Sequence, residues 1–247
     1  MSIQDENELL SMRAVGRIVR QVLDAMKAEV RPGVSTRHLD EVGARVMNEN
    51  GARSAPSMVY KFPGATCISL NDEAVHGIPG DRQLSEGDLV KLDVTVEKDG
   101  YMADAAITVP VGRIGNQAEQ LMLCAERAFE KAMLVARAGF RVFEIGRVVE
   151  HEVRRSGFSV IRELGGHGIG HTIHELPHVP NYADPLARQI MKEGLVITVE
   201  PIIASGTGKV VTDDDGWTLR TTDHCLSAHF EHTLVVTSGA PILLTAN

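Results

Sequence analysis

The stretch VKLDVTVEKDGYMADAAIT, Val90 to Thr108, decides how the rest of the chain is read. Val90, Leu92, Val94 and Val96 alternate with other residues, the period of a strand with one apolar face, and Asp99-Gly100 is a strong two-residue hairpin signal. The oddity is acid inside strands: Asp93 lies in the first and Asp104 in the second, where Asp is depleted. With a two-residue turn, Lys98 opposes Tyr101 and Asp93 opposes Ala106, so Asp104 falls two positions away on the same face. Two such carboxylates repel unless they share a proton or a cation holds them. Two hard divalent ions bridged by carboxylates, roughly 3.5–4 Å apart, are one answer. A solvated edge hairpin, or a three-residue loop that sends the acids to opposite faces, is another.

Composition sets broad bounds. A chain of 247 residues, 43% hydrophobic, can bury a substantial core as one large domain or two small ones. Its net charge of −8, with no run of Lys and Arg, gives no sign of nucleic-acid or anionic-membrane binding. Cys67, Cys124 and Cys225 are odd in number, far apart and without a CxxC pair, which argues against a disulfide framework or a zinc ribbon. The opening MSIQDENELL is acidic and lacks an apolar signal core, and no apolar run approaches the roughly 18 residues of a membrane span. The expected location is the reducing cytoplasm.

Apolar spacing predicts a helix from about Gln4 through Met12, Val15, Val19, Val22 and Met26 to Arg31-Pro32-Gly33. A second helix follows, with Ser35 and Thr36 as candidate caps, Leu39, Val42 and Val46 as its inner stripe, and Gly51 just past its end. Residues 58–80 mix strand-like and turn residues. Helical spacing returns at Leu121, Ala125, Ala128, Ala132 and Val135, stopping at Gly139, and another helix runs from about Val142 to Gly157.

This order repeats the first half. Gly33 and Gly51 are 18 apart, as are Gly139 and Gly157, at an offset of 106 residues. Glu86-Gly87 reaches Asp93 in seven steps, and Glu193-Gly194 reaches Glu200 in seven. His76-Gly-Ile-Pro79 echoes His174-Glu-Leu-Pro177. The expectation is one domain over 1–247 with an internal repeat of about 1–110 and 111–247, an α+β fold in pseudo-twofold halves, with Glu200 standing where Asp93 stands.

The second half brings chemistry. LGGHGIGHTIHELPHVP, Leu164 to Pro180, sets His167, His171, His174 and His178 among glycines that let backbone and ligand approach. His174 to His178 fits HExxH by letter only, because Pro177 denies the helix that would bring both imidazoles to one face. Val199 closes an apolar strand run at Glu200-Pro201, and Glu231 opens another. Acids bordering buried strands are costly unless paired or metal-bound. Asp93, Asp104, His167, Glu200 and Glu231 make a mixed oxygen and nitrogen set suited to two divalent first-row ions.

With these residues in hand, the chain resembles the methionine aminopeptidases of type I, metallopeptidases of family M24 with the pita-bread fold. The resemblance spans nearly the whole sequence and rests on VHGIPG at His76, KLDV and YMADAAIT with 11 residues from Asp93 to Asp104, GHGIG at His167, His174-Glu-x-Pro, TVEP at Glu200, DGWTLRTTD at Trp217 and SAHFEHT at Glu231. It implies a curved antiparallel sheet covered by helices, and a dinuclear centre of Co, Mn, Fe or Zn. Asp93 would serve one ion, His167 and Glu200 the other, with Asp104 and Glu231 bridging. It further implies that Glu200 shuttles a proton, His174 stabilises the oxyanion and His76 contacts the reacting amide. The substrate α-amine would sit at the ion bound by Asp93, and Phe62, Cys67, His76 and Trp217 would line a slot for the methionine side chain.

The implied substrate is the N-terminal methionine of nascent polypeptides, with the ribosome a candidate contact and a monomer the expected state. His174 and Glu200 are only 26 positions apart, too few for the helical insert of type II enzymes, and with no Cys/His zinc-binding stretch at the short N-terminus the expectation is a bare type I catalytic domain. The chain departs from the family pattern at Val59, Ile173 and His171, where Tyr, Phe and Arg are common, which bears on the width of the pocket. The competing readings are a proline-specific aminopeptidase or dipeptidase of the same fold, also suggested by GHGIGH followed by HELP, and a non-catalytic binding protein.

Overall fold

The computed structural model describes residues 1–246. Helix α1 (Glu6–Glu29) starts where Asp5 accepts the Glu8 amide at 3.0 Å, and Met12, Val15, Val19, Val22 and Met26 are all fully buried along one stripe. Helix α2 (Thr36–Glu49) takes Ser35 as its cap, which accepts the His38 amide at 3.2 Å. Thr36 does not cap. Its hydroxyl donates to the Gly80 carbonyl at 3.0 Å and accepts the Gly80 amide at 2.9 Å, stitching the helix to the loop behind His76. Leu39 and Val42 are buried as expected, whereas Val46 is only half-buried and Met47 takes the inner place, a one-residue rotation that a 3.6 period tolerates.

The segment expected to mix strands and turns contains a short helix, α3 (Ala55–Tyr60), that the sequence reading did not foresee. Ser54 accepts the Ser57 amide at 3.3 Å, and Pro56 occupies the first turn, where a missing N–H costs nothing. Strand β1 (Cys67–Leu70) follows, and then the hairpin of β2 (Leu89–Lys98) and β3 (Tyr101–Pro110). Its register pairs Lys98 with Tyr101, Asp93 with Ala106 and Thr95 with Asp104. Asp99 and Gly100 both have positive φ, 51° and 85°, as a two-residue turn requires, so the two acids share a face.

Helices α4 (Asn116–Met133) and α5 (Val142–Arg155) cover the second half, α4 ending two residues before the expected Val135. The later strands are β4 (Gly165–Gly168), β5 (Glu175–Pro180), β6 (Val196–Val199), β7 (Ile202–Ala204), β8 (Ser227–His229) and β9 (Glu231–Val235). Among the described residues the main antiparallel sheet runs from the edge pair Arg53–Ser54 through β2, β3, β9, β6 and β4 to β5, with β1 also on β2.

The sheet is organised about the central pair β3 and β9. Each is flanked by the strand that delivers an acid, β2 with Asp93 and β6 leading into Glu200, and then by β1 or β4. One apolar cluster sits under α1 and α2, and another under α4 and α5. The glycines that match in sequence also match in conformation: Gly33 and Gly139 have φ of 86° and 88°, and Gly87 and Gly194 have 98° and 83°. These are left-handed positions that glycine takes without steric cost.

Val90, Leu92, Val94 and Val96 are completely buried against the helices. The opposite, polar face of β2 is buried too, with Lys91, Thr95 and Glu97 at 4% exposure or less. Among the described residues no helix is long and apolar enough to cross a membrane.

Candidate metal centre

The polar face of the sheet gathers all five of the expected ligands around one cavity of about 470 Å³. Asp104 comes from β3, His167 from β4, Glu200 from the end of β6 and Glu231 from the start of β9, while Asp93 of β2 lines the same cavity beside Asp104. Asp104, His167 and Glu231 offer ligand atoms that all lie within 4.8 Å of one another, and so do Glu200, His229 and Glu231.

Threonines hold these groups in place. Thr233 on β9 accepts the Asp104 amide at 2.8 Å and donates to the Asp104 carbonyl at 2.7 Å. Thr198 on β6 accepts the His167 amide at 3.0 Å and donates to Glu200 Oε1 at 3.0 Å, so one hydroxyl fixes two candidate ligands. His167 Nδ1 donates to the Gly168 carbonyl at 2.9 Å, which turns Nε2 towards the cavity, 3.6 Å from Glu200 Oε1.

The electrostatics are those of a cluster awaiting positive charge. Burial pushes Asp104 up to about 6, and burial together with the Asp104 charge pushes Glu200 up to about 8. Asp93 and Glu231 are driven well above the ordinary carboxylate range, first by burial and then by Asp104. Burial, with His174 adding to it, holds His167 down to about 4, a neutral imidazole with a lone pair to give. Asp104 Oδ1 and Glu231 Oε1 are buried without a hydrogen-bond partner. Unpaired buried carboxylate oxygens aimed into a shared cavity are costly, and divalent ions with oxygen and nitrogen ligands relieve that cost. The residues fit such ions.

A narrower cavity of about 100 Å³ adjoins the acids. Phe62, Cys67, Ile173, Trp217 and Tyr60 line it together with His76, His174, Asp93 and Asp104. Phe62 and Trp217 meet edge to face at 5.3 Å, and Phe62, Cys67 and Ile173 are buried, so its wall is apolar. Of the three departures from the family pattern, only Ile173 lines this slot. Val59 is exposed on α3, and His171 Nδ1 lies 3.2 Å from the Gly100 carbonyl at the hairpin tip.

His76 and His174, expected at the reacting bond, both border the two cavities. His76 has φ of 59°, a strained conformation for a residue with a Cβ and one that recurs at active sites. The His174 ring lies 4.3 Å from that of His167, and Tyr60 Oη is 2.6 Å from His174 Nδ1. His178, exposed on β5, pairs across the strands with His167 and lines the same cavity, and the HExxH letters run into a strand, not a helix.

Tyr60, Thr198, Thr233 and His229 escaped the sequence reading. The first three are commonplace residue types with no motif to mark them. His229 stood two residues before Glu231 within SAHFEHT, where spacing alone signals that its ring shares the acid's surroundings.

Comparison with known proteins agrees with this geometry. The chain is 44% identical to methionine aminopeptidase 2 of Bacillus subtilis over 247 residues, covering 99% of each. The crystal structure of methionine aminopeptidase from Rickettsia prowazekii superposes with a TM-score of 0.95 at 35% identity, with 100% of both chains covered. The prolidase from Pyrococcus furiosus shares the fold, at a TM-score of 0.80 and 22% identity, but this chain spans only 65% of it. The sequence model of metallopeptidase family M24 matches residues 11–238, and this chain, with its pita-bread fold and its buried carboxylate cluster, belongs to that family.

Proposed function

We propose that the protein removes the N-terminal methionine from nascent polypeptides, acting as a single catalytic domain over residues 1–247 whose halves, about 1–110 and 111–247, each give part of the site. The observation that carries this reading is the junction of two cavities, an apolar slot of about 100 Å³ opening directly onto the buried acids. A peptide that seats an unbranched thioether in the slot brings its α-amine and first peptide bond to the carboxylates, and thioether contact with Phe62 and Trp217 suits methionine.

Asp93, Asp104, His167, Glu200 and Glu231 would hold two divalent ions, with Co, Mn, Fe and Zn all compatible with the donor set. Such ions, when bound, supply hydroxide near neutral pH and polarise the scissile carbonyl. Glu200, held by Thr198, takes the proton released in the attack and passes it to the departing amine. His174 donates from Nε2 to the oxygen that becomes negative, and His76 contacts the reacting amide. The free α-amine of the substrate would sit at the ion held by Asp93, which lines the slot as well. The cytoplasm, with or without contact to the ribosome, is the expected setting and a monomer the expected state.

The test is release of free methionine from Met-Ala-Ser by metal-stripped protein, with and without added Co²⁺ or Mn²⁺, beside peptides with proline in second place. Metal-dependent release from Met-Ala-Ser supports the reading. Cleavage confined to the proline peptides moves the chain to the proline-specific branch of the fold.

A further inference from the structure

The acid cluster contains a second imidazole, His229, at the end of β8. It is 2% exposed, and neither ring nitrogen has a hydrogen-bond partner. Its backbone is pinned in place: the amide donates to Thr108 Oγ1 at 2.9 Å and the carbonyl accepts from the same hydroxyl at 2.8 Å. The ring is therefore held where it is by β3 and not by a partner of its own.

That ring points between two carboxylates. Nε2 lies 3.4 Å from Glu231 Oε2 and 3.7 Å from Glu200 Oε2. A hydrogen bond from an imidazole to a carboxylate would bring the atoms to about 2.7–2.9 Å. Two ligand atoms that share a tetrahedral ion, each at about 2.1 Å from it, stand roughly 3.4 Å apart. The His167 Nε2 to Glu200 Oε1 distance of 3.6 Å has the same character. Glu200 is thus flanked by an imidazole on each oxygen, both at separations that suit a shared ion better than a hydrogen bond.

We propose that His229 Nε2 is a metal ligand, joining Glu200 and Glu231 on a divalent ion, so that the centre carries two imidazoles. This rests on the reading that the acid cluster holds divalent ions. The consequence is an ion bound by two carboxylates and an added neutral nitrogen, a softer donor set that favours Co²⁺ or Zn²⁺ over Mn²⁺ at that position relative to a site without the imidazole.

The full chain, stripped of metal and reloaded with two equivalents of Co²⁺, gives the test. An imidazole bound through one ring nitrogen keeps a proton on the other, and beside paramagnetic Co²⁺ that proton gives a strongly shifted ¹H signal that is lost in D₂O. Two such signals are expected in the unaltered protein and one in His229→Gln. Co²⁺ titration calorimetry should show one of two sites weakened by about tenfold or more in that variant. A single shifted exchangeable signal in the unaltered protein with two ions bound would overturn the proposal while leaving the two-ion reading intact. Failure of the unaltered protein to bind Co²⁺ at all would overturn both. The signal count in the unaltered chain decides the matter even if His229→Gln folds poorly.

Discussion

Tyr60 Oη stands 2.6 Å from His174 Nδ1, their rings 5.7 Å apart between centroids, so a half-exposed phenol on the short helix α3 orients an imidazole at the mouth of the metal cavity. With the phenol donating to Nδ1, the ring proton resides on Nε2, the nitrogen free to serve a developing oxyanion. Tyr60→Phe removes only the hydroxyl. Turnover of Met-Ala-Ser should fall by about tenfold, roughly 1.4 kcal/mol of barrier, with KM little changed. His174→Ala, which removes the donor itself, should cost a hundredfold or more, on the order of 3 kcal/mol. Steady-state kinetics decide it, and an unchanged kcat in Tyr60→Phe would remove Tyr60 from the mechanism.

Asp104 acts on the whole cluster, its Oδ1 buried without a partner and its charge pushing on Asp93, Glu200 and Glu231 alike. Asp104→Asn keeps the shape and deletes one of several mutually repelling charges. The metal-free variant should therefore be as stable as the metal-free original or more so. Metal response should diverge: at a hundredfold excess over its Kd, a divalent ion adds about 2.7 kcal/mol to the original protein, and the variant should gain little of it. Thermal unfolding with and without Mn²⁺ measures both, and an equal metal-induced rise would show that Asp104 is not a ligand.

Much of this was legible in the sequence because the constraints were local. Period-two alternation with Asp-Gly at the break dictates the hairpin register, and register puts Asp93 and Asp104 on one face. Matched glycine spacing carried the pseudo-twofold arrangement, because a left-handed helix end or strand entry leaves a visible glycine. What stayed hidden depends on long-range packing. Lys91 shares the face of Asp93 and reads as a solvent residue, yet it is buried, its Nζ donating to the Asn71 carbonyl at 2.7 Å and Ser227 Oγ at 3.0 Å. Strand alternation says which residues share a face and nothing about whether that face is covered. Tyr60 and Thr198 belong to the same class, since their partners lie far off in sequence or act through a hydroxyl that no motif records.

Trp217 is half-buried on the slot wall, edge-on to Phe62. Trp217→Ala should widen the slot and leave the acids untouched. Peptides that begin with methionine should lose at least about tenfold in kcat/KM, and their advantage over peptides that begin with leucine or phenylalanine should shrink, as a few lost carbon contacts predict. Metal affinity should not move. A variant with unchanged selectivity would mean that the side chain of the substrate binds elsewhere.

Gly166 shows how closely β4 and β6 are packed. A Cβ there would come 2.4 Å from the Thr198 carbonyl oxygen, and backbone cannot yield as a flexible side chain does. Thr198 also joins His167 to Glu200, so forcing β4 from β6 disturbs stability and site together. Gly166→Ala should cost about 1–3 kcal/mol in urea unfolding and weaken metal binding as well. Gly115→Ala, at a helix cap with open space around the new methyl group, should cost less than about 1 kcal/mol. Equal effects from the two would mean that the close approach of β4 and β6 is not maintained in solution.

The acid cluster also dictates how the metal-free protein responds to pH. Burial pushes Glu200 up to about 8, whereas in the unfolded chain it titrates near about 4.3. Between those values the folded state binds the extra proton, so Glu200 makes stability fall as pH rises. Other groups run the opposite way. His167 and His229, held by burial down to about 4 and about 3, are neutral when folded and protonated when unfolded below about 6.5, so they favour unfolding on the acid side. Lys91, brought by burial down to about 7, makes stability rise with pH above that point. Comparison with Glu200→Gln cancels what the two proteins share, Lys91 above all, and leaves the contribution of Glu200 together with its effect on Asp93 and Glu231, which its charge pushes up. The metal-free original should lose stability relative to this variant from pH 5 to pH 8, by at least about 1.4 kcal/mol, one unit of displaced titration. Saturating Mn²⁺ should stabilise the original and not the variant at pH 8, since the ion takes the place of the proton. Urea unfolding across that range provides the measurement. A difference that stays flat, or that runs in favour of the original protein as pH rises, would show that Glu200 ionises freely without metal and is not held in waiting for a cation.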